Sequence, residues 1–384
     1  MNRQEYIKAI KDVIYLCYCA LNEHKPVKSR LDKMNMDYIY EASQKHMLVS
    51  VCAMALESAG IRDERFVQAM GKAMRKNAQL DIDRAQILDR FEDAGIWYMP
   101  LKGSLLKDIY PRYGMRQMSD NDILFDNTRA EDVKNIMEGL GFTTKEFGNG
   151  NHDVYFKKPV SNFEMHRGLF SDTHISLGIL DIIDYYRNVM DRLVKDEGNE
   201  FGYHFTCEDL YIYMLAHEYK HYVHGGTGLR SVVDVYVYLR EYADRLDMGY
   251  IEEECKKLGI GDFEKQSRRL AMDLFGGEKL SDEDKQMLVY IVSSGTYGNF
   301  ENMVNNKIDK LGGGRFVKVR YAISRLSIPL DENDPRYLSL KNYYPWFFER
   351  KRRLPLLFFY RLLRGATSRR KTAVGELKVM LGLK

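Results

Sequence analysis

Two aspartates separated by one residue mark the stretch of this sequence that is equipped for chemistry. Asp120 and Asp122 stand at the start of the apolar run at residues 123–125, which has the composition of a short β-strand. Because alternate residues of a strand project to the same face, the two carboxylates lie side by side. Two carboxylates about 5 Å apart repel each other by about 3 kcal/mol at an effective dielectric constant of about 20. A divalent cation such as Mg²⁺ bound between them removes this repulsion.

A Gly-Ser pair upstream of the two aspartates supplies groups that favour an anion. Gly103 lets the backbone approach a phosphate closely because it has no side chain. Ser104 begins a predicted helix, and the free N–H groups and the dipole of a helix start attract negative charge. Enzymes of phosphoryl or nucleotidyl transfer need these two features, a pair of metal-binding carboxylates and a set of phosphate-binding N–H groups opposite them.

Strand and helix patterns alternate around these residues. The apolar runs IWYMPL and DILF are typical of short strands, and FTTKEF, DVYFKK and NFEMHRGLF alternate as strands do. The intervening stretches SLLKDIY and TRAEDVKNIMEGLG have helical spacing, and the second is expected to begin at Thr128 and end at Gly141. We therefore predict a small mixed sheet with helices over about residues 95 to 170.

Helical patterns flank the predicted sheet on both sides. Apolar residues recur at i, i+3 and i+4 spacing up to Gly95 and again from about residue 178. The predicted fold class is α+β, with a small mixed β-sheet core between N-terminal and C-terminal helical regions. The predicted regions are an N-terminal helical region (1–94), an α/β core (95–172), a helical region packing on the core (173–310) and a basic, aromatic C-terminal region (311–384).

Composition is that of a soluble protein of the cytoplasm. Hydrophobic residues make up 45% of the 384 residues and charged residues 29%, and no apolar run reaches the roughly 18 to 20 residues that a membrane span needs. The N-terminus lacks the uninterrupted apolar centre of a signal peptide. The 5 cysteines are scattered and form no C-x-x-C pair, which favours a reducing compartment and argues against a disulfide framework or a structural zinc site.

Positive charge is concentrated at the C-terminal end of the chain. From Lys310 onward there are 18 Lys and Arg against 5 Asp and Glu, although the whole chain has a net charge of only +3. This asymmetry predicts an anionic partner for the basic C-terminal region. A membrane surface is one candidate, because the sequence PLLFFYRLL lies between RKRR and RR. The alternative is that the basic region packs on the rest of the chain, in which acidic residues outnumber basic ones. Nucleic acid ranks below both because no nucleic-acid motif is present.

The order of these motifs resembles the nucleotidyltransferase superfamily, which has the polymerase-beta-like fold. Its pattern is an apolar strand, Gly-Ser or Gly-Gly, a helix, a D-x-D strand and a third acidic residue on a later strand, here Glu164. The stretches LKGS, DNDILF, FEMH, LAHEYKH and LRSVVD resemble, more narrowly, a bacterial family of uncharacterised nucleotidyltransferases over about residues 40 to 270. Two features depart from the pattern: polar Asn121 stands between the two aspartates, and the stretch from Ser104 to Asp120 is slightly long.

The resemblance implies a role for each motif residue. Asp120 and Asp122 would bind one or two Mg²⁺ (or Mn²⁺) ions, and Glu164 would complete the second metal site or act as a base toward the acceptor hydroxyl. Lys102 and Arg116 are candidate phosphate partners. The expected reaction transfers a nucleoside monophosphate from an NTP, such as ATP, to a hydroxyl of a small molecule, sugar or protein. A catalytically silent relative that binds a nucleotide or a partner is the alternative.

The stretch HEYKH, residues 217–221, is a competing motif. It matches H-E-x-x-H on a helix, in which two histidines bind zinc and Glu218 would be the general base of a hydrolase. No clear third ligand follows it. Two interpretations stay open: these histidines contact the nucleotide or acceptor, or they belong to a hydrogen-bonded network between helices. The residues expected to line the cleft facing the sheet are His166, His217, His221, Arg230 and Asp234.

Overall fold

The computed structural model describes residues 1–148, 150–296, 298–312, 316–329, 331–367 and 370–382. The N-terminal part is helical and consists of α1 (Arg3–Leu21), α2 (Lys28–Leu31), α3 (Met36–Lys45), α4 (Val49–Ser58) and α5 (Glu64–Ala94). The helix α5 begins where the Asp63 carboxylate accepts a hydrogen bond from the Arg65 N–H. It ends at Gly95, whose φ of 64° lies in the left-handed region, so a glycine adopts it without strain.

The predicted mixed sheet is present and has five strands. In chain order the elements are β1 (Tyr98–Pro100), α6 (Lys102–Leu106), β2 (Asn121–Phe125), α7 (Ala130–Gly139), β3 (Thr143–Glu146), β4 (His152–Lys157) and β5 (Ser161–His166). Across the sheet the order is β1-β2-β5-β4-β3. The strands β2 and β5 pair in parallel, and the other neighbours pair antiparallel. The strands formed by the runs IWYMPL, DILF and NFEMHRGLF are neighbours in this order, as a shared site of Asp120, Asp122 and Glu164 requires.

Three local expectations differ from the structure. The helix expected to start at Ser104 begins at Lys102 and has only 5 residues, because the chain then turns through residues 107–118. The helix expected from Thr128 begins at Ala130, since a 3-10 turn, capped by Asp126, precedes it. Residues that were expected to be helical also include a ribbon of β6 (Leu193–Lys195) and β7 (Tyr203–Phe205). These strands have 3 residues each, too few for a visible alternation.

Side-chain alternation gives the five-stranded sheet one apolar and one polar face. On the apolar face, Ile123, Tyr155 and Phe163 are fully buried. They belong to a cluster that includes Phe91 of α5 and Val133 of α7. Fully burying an apolar side chain of this size contributes about 2 kcal/mol to stability. This face therefore fixes the sheet on α5 and α7, and the polar side chains project from the opposite face.

A second helical region follows the sheet. Its helices are α8 (Leu180–Tyr185), α9 (Cys207–His224), α10 (Leu229–Tyr242), α11 (Met248–Lys257), α12 (Gly261–Gly276), α13 (Asp282–Ser294) and α14 (Phe300–Asp309). Fully buried side chains of α9 and α10, such as Leu215 and Val233, join those of α1 and α4, such as Leu16 and Cys52, in the largest apolar cluster. The N-terminal helices and this second region thus share one core.

The C-terminal region contains α15 (Val317–Leu326), α16 (Pro335–Tyr343), α17 (Pro345–Phe348), α18 (Leu354–Ala366) and α19 (Arg370–Leu381). Residues 313–315, 330, 368–369 and 383–384 of the predicted basic region lie outside the described residues. Val304, Ile308 and Tyr321 form a small apolar cluster that joins α14 to α15. A bidentate contact of the Arg325 guanidinium with the Glu376 carboxylate, at 2.9 Å for both atom pairs, joins α15 to α19. None of the described helices has the length and hydropathy that crossing a bilayer requires.

A fully buried histidine, His46, joins the N-terminal helices to α10 and α13. Its Nδ1 accepts a hydrogen bond from the Leu229 N–H at 3.1 Å, and its Nε2 lies 2.9 Å from the Tyr6 hydroxyl. That hydroxyl donates to the Val292 carbonyl, so the ring must donate from Nε2 and is the neutral tautomer. Burial, and next the charge of Lys45, lower the pKa of His46 to about 4.

We predict that His46 makes the protein less stable as the pH falls. Because its pKa is lower in the folded than in the unfolded chain, the unfolded chain binds the extra proton between about pH 6.5 and pH 4, and stability is lost across that window. Between pH 7 and pH 5 the wild type should lose about 2 kcal/mol more unfolding free energy than His46→Gln. Urea unfolding at both pH values measures this, with His204→Gln as a control that behaves as the wild type. An equal loss in His46→Gln and the wild type would contradict the assignment.

Candidate active site

Strand register brings four polar side chains to one face of the sheet. The parallel pairing of β2 and β5 sets Asp122 opposite Glu164 and Leu124 opposite His166. The antiparallel pairing of β4 and β5 sets His152 opposite His166. Directly opposed residues project to the same face, as do residues two apart in one strand. The carboxylates of Asp122 and Glu164 therefore share a small area with two imidazoles.

The third acidic residue of this area, Asp120, lies immediately before β2. Its carboxylate accepts a hydrogen bond from the Ser119 hydroxyl at 2.9 Å. Burial, and next the charge of Asp122, raise the pKa of Asp120. Burial also raises the pKa of Asp122, but His166 and Lys102 outweigh this effect, so the pKa of Asp122 is lowered. The surroundings thus favour the ionised form of Asp122 and disfavour the ionised form of Asp120.

Glu164 has a strongly perturbed carboxyl. Burial raises its pKa to about 7, with further contributions from the charges of Asp122 and Asp120. The fold brings the three acidic residues together, as a shared metal site requires. Asp122 is the register partner of Glu164, and Asp120 is close enough to raise the pKa of Glu164. Their roles as metal ligands and catalytic groups stay predictions.

The two imidazoles stand next to the carboxylates without forming hydrogen bonds to them. The Nε2 of His166 is 3.6 Å from Oδ1 of Asp122 and 3.8 Å from Oε2 of Glu164. The Nε2 of His152 is 3.5 Å from the same Glu164 oxygen. Within the described residues, both His166 nitrogens, Nδ1 of His152 and Oδ1 of Asp122 are buried without a hydrogen-bond partner. These unpartnered nitrogen and oxygen atoms lie together on one face of the sheet, and imidazole and carboxylate atoms grouped in this way fit a bound cation.

Helix α9 supplies positive charge to the same area. Lys220 interacts electrostatically with Asp122 and Glu164, and burial lowers its pKa to about 8. The ammonium of Lys102, at the start of α6, donates to Nδ1 of His217 at 2.5 Å. Burial lowers the pKa of Lys102 to about 8 as well. Two lysines with lowered pKa values therefore adjoin the acidic residues, and a negatively charged ligand would stabilise their charged forms.

The loop between α6 and β2 is held by side chains of two helices. Three of its carbonyl groups accept hydrogen bonds: Arg116 from Asn77 at 3.0 Å, Gln117 from Arg230 at 3.2 Å and Ser119 from Lys76 at 2.5 Å. Asn77 and Lys76 belong to α5, and Arg230 belongs to α10. The longer connection between Ser104 and Asp120 is therefore fixed in place, and Asp120 is positioned by contacts at the residues before it.

Arg116 and Asp234 are committed to each other. The Arg116 guanidinium donates two hydrogen bonds to the Asp234 carboxylate, at 2.8 and 2.9 Å, and the Tyr110 hydroxyl donates a third at 2.6 Å. Arg116 is only 5% exposed and Asp234 7%. Charge-assisted bidentate pairs of this kind are strong. For Asp234 the placement favours the structural-network alternative over acceptor contact, and Arg116 is a buried structural partner where a phosphate contact was expected. Arg230 supports the same loop.

The Gly-Ser pair also has internal contacts. The Ser104 hydroxyl donates to the Leu101 carbonyl at 2.8 Å, and Ser104 is 2% exposed. A Cβ added to Gly103 would lie 3.1 Å from Cε of Met118, so the absence of a side chain allows the loop to pack closely here. The structure thus gives Gly103 and Ser104 packing contacts, and it leaves only the backbone of α6 for the predicted phosphate binding.

The HEYKH stretch does not assemble a zinc hydrolase site. Nδ1 of His217 is occupied by Lys102, and the buried Glu218 is directed to Ser231, with burial raising its pKa to about 7. The rings of His217 and His221 are 4.7 Å apart. Among the described residues, the only cluster of three side chains at ligand spacing is formed by residues 152, 164 and 166. The zinc alternative therefore lacks its third ligand and its free general base.

Two residues of this area were missing from the sequence-based expectations. Lys220 lies three positions after His217, so helical spacing alone places both on one face of α9. His152 was not identifiable in this way, because its position depends on the antiparallel register with His166, which no local pattern shows.

We predict that the Arg116–Asp234 pair stabilises the protein strongly. Asp234→Asn removes the charge with little change of shape and leaves a buried guanidinium uncompensated, which should cost about 3 to 5 kcal/mol. The matched control is Glu57→Gln, which breaks the exposed pair with Arg112 at 3.0 Å and should cost less than about 1 kcal/mol. Urea unfolding measures both. Equal effects of the two substitutions would show that the buried pair does not hold the loop.

Comparison with known proteins agrees with the expected resemblance. Neither the curated proteins nor the solved structures gave a significant match. A family model described as "Uncharacterised nucleotidyltransferase" matches residues 32–276. This range contains all of the described strands, the three acidic residues of the site and the two histidines beside them. Because this match covers more than half of the sequence, the chain belongs to that family of nucleotidyltransferases.

Proposed function

We propose that this protein transfers a nucleoside monophosphate from an NTP to a hydroxyl group of a small molecule, sugar or protein, with a divalent cation as cofactor. Family membership supports the general kind of reaction. The observation that carries the proposal is the β2–β5 register, which sets Asp122 opposite Glu164 beside the ammonium of Lys220. Carboxylates on one side and lysines on the other match a cation bound to a triphosphate.

The carboxylates of Asp120, Asp122 and Glu164 would hold Mg²⁺ or Mn²⁺. When bound, such an ion neutralises the charge of the triphosphate and of the departing pyrophosphate. The fit rests on the buried Asp122 oxygen that has no hydrogen-bond partner among the described residues. It also rests on the raised pKa values of Asp120 and Glu164, because a nearby cation favours the ionised form of both carboxyls.

The two lysines would bind the phosphates. At pH 7 both ammonium groups are mainly charged, since each has a pKa of about 8, and a phosphate beside them raises that pKa further. Lys102 is oriented by its hydrogen bond to His217. A lysine held in place loses less rotational freedom on binding, and this preorganisation favours the bound state.

The reaction itself is an in-line displacement at the α-phosphorus. The acceptor oxygen forms the new P–O bond, the bond to the bridging oxygen breaks, and pyrophosphate leaves with those electrons. The proton of the acceptor hydroxyl needs a base. Glu164 has one of two roles: it is a ligand of the cation, or it stays outside the ligands of the ion and acts as this base, for which a pKa of about 7 is suited at neutral pH.

A catalytically silent, nucleotide-binding relative is the second candidate. It is favoured by the internal contacts of Ser104 and Arg116, which remove two of the expected phosphate-binding groups. Incubating the protein with each labelled NTP and Mg²⁺ or Mn²⁺ separates the two. Pyrophosphate release or self-labelling supports transfer, and cation-dependent binding without either supports the silent relative.

We predict that Asp122→Asn abolishes cation-dependent nucleotide transfer without unfolding the protein. Removing one charge from the cation site should lower the rate by about 100-fold or more, or roughly 3 kcal/mol in the barrier. Thermal stability of the cation-free protein should fall modestly, because the lowered pKa of Asp122 shows that His166 and Lys102 stabilise its charge in the folded protein, whereas Asp120→Asn, at a carboxyl with a raised pKa, should leave stability equal or higher. The exposed Asp93 gives the control Asp93→Asn. Unchanged pyrophosphate release in both Asp120→Asn and Asp122→Asn would place the chemistry elsewhere.

A further inference from the structure

We propose that His152 and His166 are metal ligands and that, with Glu164, they form a position for a divalent transition-metal ion such as Mn²⁺ in preference to Mg²⁺. The inference deepens the proposed function, because the position shares Glu164 with the acidic residues described above. Every pair of ligand atoms among these three side chains lies within 4.8 Å. The D-x-D pattern of the sequence predicts only carboxylate ligands, so the imidazoles add a new element.

The distances suit a shared ion. Metal–ligand bonds of about 2.0 to 2.2 Å place neighbouring ligand atoms of a tetrahedral site about 3.4 Å apart. The Oε2 of Glu164 is 3.5 Å from Nε2 of His152 and 3.8 Å from Nε2 of His166. Oδ1 of Asp122 is 3.6 Å from the same His166 nitrogen and could act as a fourth ligand. Shifts of a few tenths of an ångström bring these atoms to coordination distance.

Burial supports the same assignment. His166 is 6% exposed, and neither of its ring nitrogens has a hydrogen-bond partner among the described residues. An unpartnered buried polar group costs about 1 to 3 kcal/mol. A side chain that packed only for its apolar surface would not need an imidazole at this position. A bound ion gives the ring nitrogen a partner and removes that cost.

The donor set decides the class of ion. Mg²⁺ takes oxygen ligands and is bound by carboxylates, phosphates and water. Imidazole nitrogen suits transition-metal ions such as Zn²⁺, Fe²⁺ and Ni²⁺, whereas Mg²⁺ prefers oxygen ligands, and Mn²⁺ is the weakest binder of the first-row series. Mn²⁺ therefore serves as the spectroscopic probe of the site. Cross-strand pairing fixes the two rings of His152 and His166 at a centroid distance of 5.2 Å, so the strands, and not a mobile loop, set the ligand geometry.

The test measures Mn²⁺ binding to the full-length, nucleotide-free protein by electron paramagnetic resonance. Imidazole coordination should appear as ¹⁴N modulation of the spin echo. His152→Ala should weaken Mn²⁺ binding by at least about tenfold and reduce the modulation. The control is His204→Ala, which removes a half-exposed histidine paired with Asp196 at 2.5 Å in the β6–β7 ribbon. Mg²⁺ should displace the bound Mn²⁺ only at a concentration at least about tenfold higher.

Two results would overturn the inference: Mn²⁺ bound without ¹⁴N modulation, or undiminished modulation in the double variant His152→Ala, His166→Ala. Circular dichroism shows that each variant is folded. The outcome is separable from that of the proposed function. Nitrogen-coordinated Mn²⁺ in a protein that binds no NTP sinks the transferase proposal alone, whereas Mg²⁺-dependent transfer by a protein whose Mn²⁺ shows no nitrogen coupling sinks this inference alone.

A second inference concerns α18 and rests on an exposed apolar face. Leu356, Phe359, Tyr360 and Leu363 are 54%, 66%, 44% and 65% exposed, and their i, i+3, i+4, i+7 spacing puts them on one side of the helix. Leu357, on the other side, is fully buried. The helix therefore packs on the protein with one side and presents large apolar side chains with the other.

We infer that this face docks on an anionic lipid surface. The choice of partner rests on charge, because residues 310–384 contain 18 Lys and Arg against 5 Asp and Glu and the helix follows the basic run at residues 350–353. Within that run, Lys351 and Arg353 are paired with Glu332 and Glu349. A basic helix with Phe and Leu on its apolar face is the kind that lies in the membrane interface. Each basic side chain near anionic headgroups adds about 1 kcal/mol. Trp346, 52% exposed and 4.2 Å beneath the Arg353 guanidinium, has the amphipathic ring that favours the same interface.

Co-sedimentation of the full-length protein with vesicles tests this docking. Vesicles of phosphatidylcholine with phosphatidylglycerol should bind the protein, and vesicles of phosphatidylcholine alone should not. The double substitution Phe359→Asp and Leu363→Asp should weaken binding by at least about tenfold, whereas Ile82→Asp, at a 55% exposed apolar residue of α5, should leave it unchanged. Equal binding to both kinds of vesicle, retained binding of the double variant, or a preference for an oligonucleotide would overturn the inference.

Discussion

Like-charge repulsion across the parallel β2–β5 pair is the constraint on which the site depends. Asp122 and Glu164 are direct register partners, and the apolar side of the sheet fixes both strands on α5 and α7, so the backbone holds the two carboxylates on one face of the sheet. The protein offsets the repulsion partly by raising the pKa of Glu164 to about 7 and partly through Lys220. This arrangement favours a positively charged ligand, and the proposed divalent cation with its phosphates would meet that requirement.

The helical regions are part of the site because they position the loop before β2 and the lysine side chains. The Arg116–Asp234 pair and the hydrogen bond from Asn77 connect the loop before β2 to α10 and α5. Helix α9 then brings Lys220 over the acidic residues. The family match over residues 32–276 spans these helices as well as the sheet. Helices packed on both faces fix the small sheet, and the sheet can therefore hold several like charges close together.

The sequence was informative where the signal is local and uninformative where it depends on register. Strand alternation and the order of motifs predicted the mixed sheet and the meeting of Asp122 with Glu164, and both are confirmed. His152 could not be found, because an antiparallel pairing at distant positions decides where it lies. Arg116 was expected to face a phosphate, yet a carboxylate from α10 binds it. Sequence shows that a charge is present, and only the tertiary fold shows which partner it has.

The central claim is that Asp122 and Glu164 hold a divalent cation together with a nucleoside triphosphate. The most direct test is anomalous diffraction at the manganese edge from crystals grown with Mn²⁺ and an NTP analogue that has a non-cleavable α–β bridge. The account predicts an anomalous peak within coordination distance of both carboxylates, with the triphosphate directed toward Lys102 and Lys220. A nucleotide bound elsewhere on the protein, or one bound here with no ion at either carboxylate, would contradict it.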